Sequence, residues 1–163
     1  MGPIDERLRG LLHYDSDTGV FTWRVNRRRV KTGDIAGTVN AQGYVQICID
    51  GRLYLAHRLA WLYVHGEWPS GDLDHWDTNR ANNVIGNLRP ATNSQNQANS
   101  RQRRDNTSGY KGVCWDKRCH RWVAGIYVDG RRRHLGRFDT PEAGHAAYCN
   151  AASEYFGEFA RVA

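Results

Sequence analysis

One stretch determines the predicted fold of the central part of the chain: Leu73 to Asn99, L-D-H-W-D-T-N-R-A-N-N-V-I-G-N-L-R-P-A-T-N-S-Q-N-Q-A-N. Leu73–His75 is predicted to be a short strand, and residues 77–86 form an Asn-rich loop. Asn87–Arg89 begins a second short strand, and residues 93–99 follow as a helix. The order predicts a small strand–loop–strand–helix unit that carries polar side chains where its first strand ends.

The residue types in this stretch indicate phosphodiester chemistry. Asp74 offers a hard oxygen, the ligand type that Mg²⁺ prefers. His75 offers a nitrogen base that can be neutral near pH 7. With Asn87 and Asn96 downstream, these side chains could hold one divalent metal and one attacking water over a phosphodiester.

With A-H-R-L-A-W-L-Y-V-H-G-E-W-P (Ala56–Pro69) upstream, the segment resembles the HNH endonuclease family, and within it the phage and intron-encoded nicking enzymes. The resemblance implies a ββα-metal (His-Me finger) core in which Asp74 and Asn96 are the metal ligands. His75 matches the general base that activates water, and the side-chain carbonyl of Asn87 matches the group that orients its imidazole. Mg²⁺ is the implied cofactor, with Mn²⁺ as an alternative. Many HNH enzymes carry a second His where this chain has Asn96.

The N-terminal region is predicted to be a short helix followed by antiparallel strands. The Asp50-Gly51 pair lies between two alternating runs and predicts a hairpin. A basic run, Arg24 to Lys31, holds five basic residues and no acid. It is either a solvated loop or a phosphate-contacting hairpin. The second interpretation predicts DNA contacts from Arg27, Arg28 and Arg29.

Positive charge is concentrated in the second half of the chain. Residues 101–137 hold 11 Lys/Arg against 3 Asp/Glu, and the rest holds 12 against 14. A basic half joined to a near-neutral half indicates a module that binds a polyanion. Residues 100–108, S-R-Q-R-R-D-N-T-S, contain no apolar residue. They are predicted to be a basic linker that contacts DNA through Arg101, Arg103 and Arg104.

Three strands and one helix are predicted after the linker, with a hairpin turn at Asp129-Gly130 and a helix start at Thr140-Pro141. The motifs Y-K-G-V, R-W-V-A-G-I and H-L-G-R-F-D resemble the DNA-binding domain of plant ethylene-response factors (APETALA type). The resemblance implies a three-stranded antiparallel sheet packed on one helix, with a sheet face that binds double-stranded DNA. The predicted contacts are Lys111, Arg121, Tyr127, Arg132 and His134.

Other classes of protein are disfavoured. The first ten residues lack the apolar stretch of a signal peptide, and Leu59–Val64, the longest apolar run, is far shorter than the ~20 residues of a membrane span. The cysteines form no C-x-x-C pair, so no structural zinc is expected. A site built from Cys114, Cys119, His145 and Cys149 is the alternative to reduced thiols. The expected setting is the cytoplasm of a bacterial host, on DNA, without a membrane or small-molecule cofactor.

The sequence therefore predicts an α+β chain with four segments. They are N-terminal DNA-gripping elements (1–56), an HNH nuclease core (57–99), a basic linker (100–108) and an ethylene-response-factor-like domain (109–163). The predicted function is a metal-dependent DNA endonuclease of the homing type. One copy of the site predicts a nick and a monomer, with a dimer as the alternative. A non-catalytic sequence-specific DNA-binding regulator and an RNA-binding protein are the competing hypotheses.

Overall fold

The computed structural model describes residues 4–27, 29–102 and 105–162, apart from the side chain of Asp5. The chain divides between Pro90 and Ala91 into two compact units. It is a mixed α/β protein with small sheets. None of the helices in the described ranges is long and apolar enough to cross a membrane.

The first unit contains two helices and three small sheets. Its strands pair as β1-β2, β3-β4-β5 and β6-β7, and β7 ends at the boundary between the units. The elements are α1 (Ile4–Leu11), β1 (Leu12–Asp15), β2 (Val20–Trp23), β3 (Thr38–Val39), β4 (Val45–Ile49), β5 (Arg52–Leu55), α2 (Ala56–His65), β6 (Asp72–His75), a 3₁₀ turn (Ile85–Asn87) and β7 (Leu88–Ala91).

The β4–β5 hairpin turns at Asp50-Gly51. Both residues have positive φ, 52° and 79°, as a type I′ turn requires. Glycine accommodates this conformation without the steric cost that a Cβ brings. The pairing of Ile49 with Arg52 shows that the turn sets the register at the first pair.

One hydrophobic core holds the first unit together. Its largest fully buried side chains, which come from α1, β1, β2, β4 and α2, are Leu8, Leu12, Phe21, Ile47, Ile49 and Leu59. Helix α2 adds Ala56, Ala60 and Leu62 to this core, and Leu88 joins it from β7. Helix α2, which follows the predicted division after residue 56, thus buries its apolar face against the N-terminal strands.

Among its described residues, the second unit contains one three-stranded antiparallel sheet, two α-helices and a 3₁₀ turn (Gly157–Phe159). Its elements are α3 (Asn93–Ala98), β8 (Val113–Asp116), β9 (Arg121–Val128), β10 (Arg131–Phe138) and α4 (Pro141–Phe156), with strand order β10-β9-β8. Thr140 caps α4 by accepting from the backbone N–H of Ala143, and Pro141 follows at the first helical position. A second core joins sheet and helix through Ile126, Val128, Tyr148, Ala151, Ala152 and Phe156.

Candidate active site and DNA-facing surface

The two residues with candidate catalytic chemistry lie at the end of β6. Asp74 is 3% exposed and His75 is 4% exposed. β6 pairs with β7, and the backbone N–H of Trp76 donates to the carbonyl of Asn87 at 2.9 Å. A short strand pair therefore fixes the backbone on which both side chains stand.

Arg89 on β7 neutralises the buried carboxylate of Asp74. Its Nε donates to Asp74 Oδ2 at 2.9 Å, and its Nη2 lies 2.9 Å from the same oxygen. The guanidinium also stacks on the ring of Trp76, 4.4 Å from the ring centre. A buried charge requires such compensation, and the sequence did not identify Arg89 as its source.

His75 stands in a cluster of rings with Tyr44 and His57. The ring centres of His57 and His75 lie 5.0 Å apart, and that of Tyr44 lies 5.9 Å from His75. Burial lowers the pKa of His75 below its ordinary 6.5, and the side chains of Asn83, Asp77 and Asp74 offset part of this effect. The imidazole is therefore neutral at pH 7 and able to accept a proton.

Asn83 supplies the amide beside His75. Asn83 is 2% exposed, and its Nδ2 donates to the carbonyl of Ala81 at 3.1 Å. Tyr14 on β1 holds the backbone here, because its hydroxyl donates to Asn83 O at 2.7 Å. The sequence did not predict a contact between Asn83 and the imidazole of His75. The only feature that could have indicated it is the high density of amide side chains in the loop.

Asn87, the predicted orienting residue, organises the loop. Its Oδ1 accepts from the backbone N–H of Asp77 at 3.0 Å, and its Nδ2 donates to Asp77 Oδ1 and Asn82 O. Asp77 Oδ2 also accepts from Asn82 Nδ2 at 2.7 Å. These described bonds are not the predicted contact with the imidazole of His75. They hold closed the loop that carries Asn83.

Asn96, the second predicted metal ligand, belongs to α3 in the second unit. Asp74, His75 and Asn87 all belong to the first. Within the described residues, no group of three or more His, Cys, Asp or Glu side chains could hold a metal ion. The carboxylate of Asp74 nevertheless offers the hard oxygen that Mg²⁺ prefers, and a cation there would have to share this carboxylate with Arg89. A ligand set this small suits Mg²⁺, which keeps several waters and binds substrate phosphates.

Acid is expected to destabilise the first unit through His57. Burial lowers the pKa of His57 to about 3, with His75 and Arg58 adding to the effect. The unfolded chain, with a pKa near 6.5, binds the proton more tightly. Stability is therefore lost as the pH falls from 6.5 towards 3, by up to about 1.4 kcal/mol per pH unit. Urea unfolding between pH 7 and 5 measures this slope.

The variant His57→Phe should reduce that slope, because it removes one of the two buried imidazoles whose pKa is lowered. The exposed His134 provides the matched control, His134→Gln, which should leave the slope unchanged. An equal slope in His57→Phe and the wild-type protein would contradict the assignment.

The predicted N-terminal DNA contacts differ in their surroundings. Arg27 pairs with Asp50 at 3.1 Å and stacks over Trp23 at 4.6 Å. Asp50 therefore already neutralises part of the positive charge that Arg27 could offer to DNA. Arg29 is exposed in a turn. Arg28 lies outside the described residues.

Four of the predicted C-terminal contacts are exposed on the sheet of the second unit: Arg121, Tyr127, Arg132 and His134. Tyr127 pairs with Arg132 across β9 and β10, and Gly125 pairs with His134. A register shift between His134 and Gly136 then pairs Arg137 with Val123. Because alternate residues of a strand share a face, the shift moves Arg137 onto the face of Tyr127. Arg137 was not among the predicted contacts, since a bulge is not visible in the simple alternation of residues along a strand.

Lys111 is engaged inside the second unit. Its ammonium donates to the carbonyls of Ala98, Ser100 and Arg161 at 2.6, 2.7 and 3.2 Å. These bonds use the three donors that an ammonium has. These bonds give Lys111 a structural role within the second unit, and its contact with DNA stays a prediction. Of the linker arginines, Arg101 is exposed, and Arg103 and Arg104 lie outside the described residues.

Comparison with known proteins identifies both segments. The family model of the HNH endonuclease matches residues 54–98, and that of the AP2 domain matches residues 108–158. The chain is 32% identical over 106 residues to Protein 3.8 of Escherichia phage T7, covering 64% of this chain and 87% of that protein. No solved structure matches the chain.

A second relative is the uncharacterized HNH endonuclease L560 of Acanthamoeba polyphaga mimivirus. The two proteins are 32% identical over 111 residues, which cover 68% of this chain and 57% of the relative. The chain therefore belongs to the HNH endonuclease family of DNA-cleaving hydrolases and carries an AP2 domain after its HNH segment.

Proposed function

We propose that this endonuclease is metal-dependent and of the homing type, and that it nicks one strand of duplex DNA at a site chosen by its flanking DNA-binding elements. The observation that carries the proposal is the buried Asp74–His75 pair at the end of β6. Such a pair joins a hard oxygen ligand to an imidazole that is neutral at pH 7. A protein that merely bound DNA would have no use for it.

His75 acts as the general base. Its lowered pKa keeps the imidazole neutral, so it can take the proton of a water that attacks phosphorus. Asn83, beside the ring, selects the tautomer and aims the basic nitrogen. Asn87 acts through the loop, where its bonds to Asp77 and Asn82 keep Asn83 in place.

Asp74 would hold Mg²⁺, with Mn²⁺ as an alternative, and Asn96 stays the second ligand that the sequence predicts. When bound, such an ion stabilises the charge on the phosphate and on the departing oxygen. The carboxylate of Asp74 supplies the charge that retains it. His57 and Tyr44 pack around His75 and restrict the rotation of its ring.

The second unit supplies affinity for duplex DNA. Its exposed sheet face presents Tyr127, Arg132, His134 and Arg137 together. Arginines in this arrangement can contact guanine and phosphate. One HNH segment per chain supports a monomer and a single-strand break, and we place its action in the cytoplasm of a bacterial host.

Supercoiled plasmid incubated with Mg²⁺ or with EDTA tests the proposal. Conversion to open circle in Mg²⁺ and none in EDTA is the expected result. Direct conversion to linear DNA would indicate that both strands are cut, as by a dimer, and would contradict the nicking proposal. Tight duplex binding without cleavage in either condition would favour the regulator instead.

Neutralising Arg101, Arg103 and Arg104 together, by Arg→Gln substitution, is expected to flatten the dependence of DNA affinity on salt. Each lost phosphate contact removes about 0.9 from the slope of log affinity against log salt concentration. Fluorescence anisotropy with a labelled duplex at several salt concentrations measures it. Arg58→Gln serves as control, because Arg58 donates to the backbone carbonyls of Gly71 and Pro69. An unchanged slope in the triple variant would mean that the linker does not touch DNA.

A further inference from the structure

One contact at the candidate active site has no part in the proposed hydrolysis. Arg89 places two donors, Nε and Nη2, on Asp74 Oδ2 at 2.9 Å each. The side chains of Arg89 and Asp74 are 15% and 4% exposed. Charge-assisted bonds that are shielded from water are strong, so this guanidinium competes with any cation that approaches the carboxylate.

We propose that Arg89 is a charge gate, which keeps divalent metal weakly bound at Asp74 until a DNA phosphate arrives. The inference rests on the proposed function, because it takes Asp74 as the metal ligand. It adds an order of events in which metal loading depends on DNA.

The charges near Asp74 disfavour metal binding in the absence of DNA and favour it when a DNA phosphate is present. Asp74 and Arg89 together carry no net charge, so a divalent ion placed beside them leaves an uncompensated charge of +2. The described residues offer no group of three or more His, Cys, Asp or Glu ligands to absorb it. A DNA phosphate brings the missing negative charge. It also offers Arg89 a second anion, with which a guanidinium pairs well.

Trp76 keeps the gate closed in the absence of DNA. Its ring, 55% exposed, lies under the guanidinium of Arg89 at 4.4 Å. Stacking of this kind attracts the guanidinium to the face of the ring and fixes the plane of the guanidinium. Arg89 therefore does not swing away from Asp74 without losing this contact, and only a competing anion compensates for the loss.

Binding of Mn²⁺ in the absence of DNA, followed by electron paramagnetic resonance, tests the gate. The variant Arg89→Gln should bind Mn²⁺ at least about 100-fold more tightly than the wild-type protein. That lower bound follows from removing one unit charge about 10 Å from a divalent ion at an effective dielectric constant of about 20, and a shorter separation gives a larger effect. Arg89→Lys keeps the charge and should stay close to the wild-type affinity.

The matched control is Arg58→Gln, because Arg58 is a half-buried arginine of the same unit that donates to backbone carbonyls of Gly71 and Pro69. It should leave Mn²⁺ affinity unchanged. Equal affinities in Arg89→Gln and the wild-type protein would overturn the gate. If the wild-type protein still cleaves plasmid while the two Mn²⁺ affinities are equal, the gate is wrong but the proposed function is not affected.

A second measurement does not depend on how Arg89→Gln folds. In a protein carrying His75→Ala, so that DNA stays intact, added random-sequence duplex should raise Mn²⁺ affinity at least about tenfold, as expected from one added negative charge. Equal affinity with and without duplex would overturn the gate, and so would an absence of Mn²⁺ binding in both conditions.

Discussion

His75→Ala is expected to lower the rate of DNA cleavage by about 10²- to 10⁴-fold, the range over which general-base catalysis contributes. The variant leaves Asp74 and the DNA-binding face of the second unit in place, so duplex affinity should stay at the wild-type level. Single-turnover nicking of supercoiled plasmid gives the rate, and anisotropy with a labelled duplex gives the affinity.

The exposed His13 on β1 provides the control for this variant. His13→Ala removes an imidazole from the same unit and should cleave at the wild-type rate. Cleavage by His75→Ala within a few-fold of the wild-type rate would show that another group takes the proton. A parallel loss of DNA affinity would show that the substitution had disturbed the fold rather than the chemistry.

Gly19→Ala is expected to destabilise the first unit by about 2–5 kcal/mol, the sum of left-handed strain and overpacking. Gly19 has φ of +71°, and a Cβ there would overlap the backbone of Asn83 and Val84. Because those atoms are main chain, the loop beside His75 must shift. Cleavage should therefore fall together with the urea midpoint of unfolding.

The matched control is Gly51→Ala. Gly51 has nearly the same φ, +79°, but its Cβ would meet no atom within 4 Å. Its free energy of unfolding should fall by about 1–2 kcal/mol through backbone strain alone. Its cleavage rate should stay at the wild-type level under conditions in which the variant is folded. Equal losses of stability and activity in the two variants would contradict the coupling between Gly19 and the loop.

Local signals predicted much of the second unit. The Asp129-Gly130 turn has the two positive φ values, 49° and 75°, that its composition indicated. Thr140 and Pro141 begin α4 where capping chemistry predicts. Arg137 was not predicted to lie on the DNA-facing side of the sheet. The register shift after His134 reverses the alternation of residues from which the two faces of a strand are predicted. The bonds of Lys111 were not predicted, because its acceptor carbonyls lie 13, 11 and 50 positions away in the chain.

The first unit was predicted less completely. The adjacent Asp74-His75 pair was visible in the sequence, but its surroundings depend on contacts between remote residues. Tyr14 holds Asn83 across 69 positions, and Arg89 reaches Asp74 across a strand pair. The short strands β1 and β3 were missed, since two to four residues carry too little periodicity to identify.

The central claim is that a divalent metal binds at Asp74, beside His75, in the nuclease unit. Paramagnetic broadening of histidine ring signals by Mn²⁺, in the wild-type protein free of DNA, tests it most directly, because even slight occupancy broadens nearby nuclei. We expect the His75 signal to disappear first, while that of His120 in the second unit persists. A His75 signal that stays sharp while His120 broadens would contradict it.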